Sequence, residues 1–179
     1  MLALQALFDH DREELEILYR CRITTKAHHR WFWKILDRIY WVLRGFKKSD
    51  FMRRATTIGG VIAFKEMTQL YAVNIEDYVI LKHEAKHVKQ EALCGLGDPW
   101  AGAGLFLVLY LFVPLPALVS WFRFKFEREA MLAEIKAAKL LGYEPDVEFY
   151  VKALSGVSYL WAWPEKRVRE WFKAALVTP

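Results

Sequence analysis

The chain has 179 residues, 55% of them apolar and 16% aromatic, with a net charge of +5. That length suits one domain with a sizeable core, and so mild a charge suits an acidic surface or membrane headgroups without calling for a specific nucleic-acid partner. Two widely separated cysteines, Cys21 and Cys94, form no C-x-x-C pair and are expected as free thiols rather than a disulfide framework, which fits a reducing compartment.

Met1 to Phe8 is apolar but lacks the basic lead and long apolar run of a signal peptide, and Asp9 and Asp11 end it early. Asp9 to Arg20 reads as a short helix with Leu15, Leu18 and Tyr19 on one side. Arg20 to Arg30 is polar and basic. His28 and His29 lie in it, but adjacent side chains diverge too far to share a metal, so they are expected on the surface. Trp31 to Arg44 is a second, aromatic-rich helix, with Ile35, Leu36, Ile39 and Leu43 as its expected core stripe. Trp33 and Trp41 fall at or outside that stripe, beside Arg30, Lys34, Arg38 and Arg44. This basic, aromatic-rimmed face is either a core helix with snorkelling cations or a contact for a membrane surface or protein partner. Gly45 to Arg54 is a basic connector and the one plausible internal boundary, dividing an N-terminal helical extension (1–54) from the rest (55–179), if the whole is not one compact domain.

Thr56 to Lys65 is β-rich and interrupted by Gly59 and Gly60, as in a strand with a bulge or tight bend. A second short strand is predicted within Met67 to Val73. Ile75 to Leu93 is then a helix, with Asn74 as cap, Glu76 and Asp77 in the first turn, and Gly95 and Gly97 as the stop. It carries His83-Glu84-Ala85-Lys86-His87, an H-E-x-x-H run. The i, i+4 spacing turns two imidazoles the same way, as two ligands of a tetrahedral zinc require, and leaves Glu84 beside them to act on a water held by the metal.

Pro99 to Phe122 carries no charge and is long enough to span a membrane, but Pro114 and Pro116 lie inside it. A single span would also separate the two halves of any metal site. Two shorter segments, Trp100 to Phe112 and Pro116 onward, are expected instead, as a buried or membrane-dipping hairpin. The second runs on as a helix to Leu141, stopped by Gly142, with Glu127, Ala130, Met131 and Glu134 on one face. A carboxylate from this helix can complete a His, His, Glu site, and spacing alone does not choose between Glu127 and Glu129. Asp146 can cap a short helix to Leu154, Gly156 to Trp163 is aromatic, and Pro164 opens a last helix through Leu176.

His83-Glu84-x-x-His87-Val88-x-Gln90 followed by Glu127-Arg128-Glu129-Ala130 resembles the small gluzincin-type zinc metallopeptidases of bacteria and phages, most of all the short phage-encoded ones. The resemblance runs from about Thr56 to Trp171 and is specific at the two helix motifs. It implies an α+β, mostly helical, zincin-like fold: two helices carrying the metal site and a small sheet whose edge presents to an extended substrate. It implies Zn2+ as cofactor, Glu127 as third ligand, with Glu129 the fallback, and Glu84 as general base for hydrolysis of a peptide or protein. Tyr159 would donate to a developing oxyanion, or else pack in the core. The chain departs from the pattern at Met131, where many gluzincins place an Asp that orients a zinc histidine. Glu134 or a backbone carbonyl would take that role. A cytoplasmic or virion-associated location is implied, with three alternatives to an enzyme or additions to it. These are a phage-particle role that keeps the zinc fold, a partner bound through the aromatic N-terminal helix, and peripheral membrane contact.

Overall fold

The computed structural model describes residues 2–43, 51–66, 68–71, 73–109, 119–156 and 163–177. Their order is α1 (Leu2–Tyr19), β1 (Arg22–Thr25), α2 (Arg30–Leu43), a 3-10 turn, β2 (Thr56–Ile58), β3 (Val61–Phe64), α3 (Thr68–Tyr71), α4 (Ile75–Cys94), α5 (Pro99–Leu107), α6 (Val119–Leu140), α7 (Val147–Ser155) and α8 (Glu165–Val177). The fold is α+β and mostly helical, with one three-stranded sheet.

The sheet runs β1-β3-β2, with β1 parallel and β2 antiparallel to β3. Gly59 and Gly60 have φ of +58° and +68° and form the two-residue turn between β2 and β3. Two consecutive left-handed residues match the twist of a tight hairpin, which is why glycine stands at both. The expected bent strand is therefore a hairpin. Arg22–Thr25, within the polar and basic stretch that carries no predicted element, is a strand, because a parallel partner in β3 completes its hydrogen bonds. One further expectation is corrected. Thr68–Tyr71 is a helical turn, not a strand. The boundary expected at residue 54 falls between β1 and β3 of one sheet.

One core lies between α1, the sheet, α4 and the end of α6, built from Phe8, Leu15, Ile62, Phe64, Leu81 and Val88 among others. Each such side chain, fully buried, contributes about 1.5–3 kcal/mol. Phe8 is wholly buried, so the apolar start is part of α1 and not a lead-in to it. A second core joins α6, α7 and α8 through Phe124, Met131, Ile135, Tyr150, Leu154 and Phe172. α6 thus serves both cores, with small Ala130, Ala137 and Ala138 buried along it.

α2 is rotated from its expected setting. Trp33 is the buried residue, at 4% exposure, while Ile35 and Ile39 of the expected core stripe are 50% and 49% exposed. On the buried side lies Lys26, just after β1, which donates to Thr56 Oγ1 (2.7 Å) and has its ammonium 5.5 Å from the Trp33 ring. Covering that cation favours turning Trp33 inward. Leu43 and Trp41 lie beyond the residues whose side chains are described.

α5 packs against the end of α4, and no described helix is long and apolar enough to cross a membrane. A side chain at Gly102 would collide with the Glu91 carbonyl, and one at Gly95 with Asp98 and Gly102, so glycine is needed at both for this approach. Residues 110–118, including Pro114 and Pro116, lie outside the described residues, as does Tyr159.

Candidate metal centre

α4 starts where its caps put it. The Asn74 side chain accepts from Asp77 N at 2.8 Å and Asp77 Oδ2 accepts from Asn74 N at 3.2 Å, a reciprocal box that satisfies two otherwise open donors. Downstream the helix buries an unusual set of polar residues: Glu84, His87, Gln90 and Glu91. Such groups are tolerated only with partners. Finding those partners defines the site.

His83 and His87 face α6 one turn apart, with ring centroids 5.0 Å apart. Glu127 of α6, 5% exposed, meets both: its Oε2 is 3.7 Å from His83 Nε2 and its Oε1 is 3.9 Å from His87 Nε2. One donor atom from each residue lies within 4.8 Å of the others. Ligand atoms about 2.1 Å from one tetrahedral centre stand roughly 3.4 Å apart, so the widest pair of this set would close by up to about 1.4 Å for two nitrogens and one oxygen to share a single ion. Two imidazoles and a carboxylate suit a divalent first-row transition ion. Ala130, fully buried one turn along, permits this approach of the helices.

Both imidazoles are held from behind. His83 Nδ1 is 3.1 Å from Glu134 Oε2, and Tyr150 Oη of α7 donates to the other Glu134 oxygen at 2.9 Å. His87 Nδ1 is 2.9 Å from Gln90 Oε1. The Gln90 amide nitrogen donates to Phe126 O (3.1 Å) and Glu129 Oε2 (3.3 Å), so its oxygen must be the group facing His87, and His87 Nδ1 carries the proton. With Nδ1 engaged in each ring, Nε2 is the nitrogen that each turns to Glu127. Burial opposes a charge on His83, but the Glu134 hydrogen bond and the Glu127, Glu84 and Glu134 charges outweigh it and push the imidazole up to about 9. A metal ion taking that nitrogen would displace the proton.

The structure separates the two candidate carboxylates. Glu127 joins the histidines, while Glu129 turns to Lys86 (3.4 Å) and Gln90. Met131 packs into the core shared with α7 and α8. Glu134 is instead the acid that meets His83 from behind, seven residues after Glu127 and so nearly in line with it on the helix.

Glu84 does not face the same partners. It is 7% exposed, and its Oε2 accepts from Thr57 Oγ1 of β2 at 2.7 Å. Seven residues on, the Glu91 carboxylate accepts from Gly59 N (3.0 Å) and Gly60 N (2.8 Å). Burial drives Glu91 up to about 7 against the effect of those two donors, with the Glu84 charge adding to the rise. Two α4 carboxylates therefore clamp the hairpin beside the site. Lys26 at the sheet's end is pushed down to about 8 by burial, with the Glu84 and Asp37 charges working against that.

Thr57, Tyr150, Glu91 and the role of Gln90 were not foreseen. Gln90 alone left a signal, being three residues after His87 on the same helix face. His28 and His29 are exposed, apart from the site. Cys21 and Cys94 are both free thiols, and burial pushes Cys21 up to about 12. No family model, curated protein or solved structure matches the chain, so the functional reading rests on this geometry.

Proposed function

We propose that the chain is a zinc-dependent peptidase of the gluzincin kind, a zincin-like helix pair with a substrate-facing sheet edge. The observation that carries this reading is the convergence of His83, His87 and Glu127 beside a buried Glu84 that takes no part in the cluster. Zinc bound by the three would supply Lewis acidity toward a peptide carbonyl and toward water. Glu84 takes the proton of the attacking water and delivers it to the leaving amine. Thr57 holds one Glu84 oxygen, leaving the second able to accept that proton. Glu134 and Gln90 keep the imidazoles in the tautomer that offers Nε2. β2 is an edge strand tied to Glu84 through Thr57, and an extended peptide added along that edge would lie next to the base.

The test is zinc content together with cleavage of a broad mixture of peptides and unfolded protein, read by mass spectrometry with and without chelator. The wild type is expected to hold about one zinc per chain, as three ligands and an open position imply, and to make chelator-sensitive cuts. His83→Ala should lose the metal. Glu84→Gln should keep it and lose about a hundred- to ten-thousand-fold in rate. Zinc fully bound with no cleavage by the wild type would assign the cluster to a structural role instead.

A further inference from the structure

The rotation of α2 leaves a surface that neither core nor metal site uses. Trp31, Ile35 and Ile39 form one i, i+4 stripe, 67%, 50% and 49% exposed, with Phe32 at its edge. Arg30, Lys34 and Arg38 form a second, exposed stripe with the same spacing, turned by about 100° from the first. The helix's single acid, Asp37, is half-buried and lies close enough to Lys26 to affect its charge. We propose that this face of α2 docks the protein, in plane, onto an anionic lipid bilayer.

Three observations favour a bilayer over another occupant. The opposite side of α2 is already occupied, through Trp33 over Lys26, so no groove can enclose the helix and only a one-sided contact remains. Aromatic and aliphatic residues bordered by a row of cations match the depth profile of an interface, with apolar groups below the headgroups and cations level with them. The sign of the row, on a chain of net charge +5, selects anionic lipid.

The experiment is sedimentation of the full chain with vesicles of phosphatidylcholine alone or mixed with phosphatidylglycerol. Three cations at the surface should favour the anionic vesicles about a hundredfold, an advantage that added salt removes. Ile35→Glu with Ile39→Glu should abolish binding. Lys34→Glu, a change at an exposed position that does not depend on the double variant folding, should cut the anionic preference at least about tenfold. Leu140→Glu, at an 88% exposed position on α6, should bind as wild type. Equal binding to both vesicles, or none to either, overturns the proposal. So does binding that survives the α2 changes, which would place the contact on the uncharged 99–122 stretch. Loss of a dimer in those variants with vesicle binding intact would make a second copy the occupant, and overturns it too.

Discussion

Replacing Glu134 tests whether an outer carboxylate prepares His83 for metal. Glu134 spends one oxygen on His83 Nδ1 at 3.1 Å and the other on Tyr150 Oη at 2.9 Å, so it is itself fixed from α7. Partners of this kind typically contribute ten- to a hundredfold in metal affinity, about 1.4–2.8 kcal/mol. Glu134→Gln keeps an acceptor for the Nδ1 proton but loses the charge, and is expected near the lower figure. Glu134→Ala removes the acceptor and frees the ring to turn, and is expected near the upper one. It also strands the Tyr150 hydroxyl, at about 1–3 kcal/mol of stability, so affinity must be read well below the melting temperature. The assay is competition for zinc against a chelating chromophore, with circular dichroism as the check on folding. Wild-type affinity in both variants would refute the orienting role. Loss as complete as in His87→Ala would make Glu134 a ligand, and the donor set as drawn would be wrong.

Glu127→Ala should lose far more zinc than Glu129→Ala, measured by metal analysis after gel filtration, because Glu129 is engaged with Lys86 and Gln90. Gly102→Ala should destabilise by ~3 kcal/mol, lowering Tm by roughly 6–12 °C, since its methyl would collide with the Glu91 carbonyl and backbone cannot step aside cheaply. Glu91 keeps its proton in the fold to about pH 7, whereas its ordinary value is 4.5. Its contribution to stability is therefore full below 4.5, falls as pH rises from there to 7, and is lower by up to ~3 kcal/mol above that. Denaturant titrations at pH 4.5 and 8 should show a larger drop in the wild type than in Glu91→Gln, which keeps only the loss that His83 contributes as pH rises toward 9; equal drops in both would refute it.

The helices were legible where local chemistry fixes them. Asn74 with Asp77, Asp146 before α7, and the glycines after α4 and α6 are signals written within a few residues. Elements that depend on distant partners were not. β1 is four residues of R-I-T-T whose strand character comes from pairing with β3, about forty positions on. The side on which α2 is buried was misread for a related reason. Its four aliphatic residues make a better stripe than a lone tryptophan, and nothing local says that a buried Lys26 waits under Trp33.

The same divide runs through the metal centre. His83, Glu84 and His87 sit in one motif on one helix, so periodicity alone aligns them. Glu127 needed the second helix and its register, and Glu134 follows from Glu127 by two helical turns. Thr57 and Tyr150 lie on a strand and a helix that touch α4 and α6 only in the fold, and each is an ordinary polar or aromatic residue in the sequence. Yet these are the residues that settle orientation. Without Tyr150, Glu134 has one firm contact fewer, and without Thr57, Glu84 is a buried carboxylate lacking a 2.7 Å donor. A motif therefore specifies which groups are brought together, while the fold around it, here β2, α6 and α7, decides which nitrogen of each imidazole and which oxygen of each carboxylate is engaged.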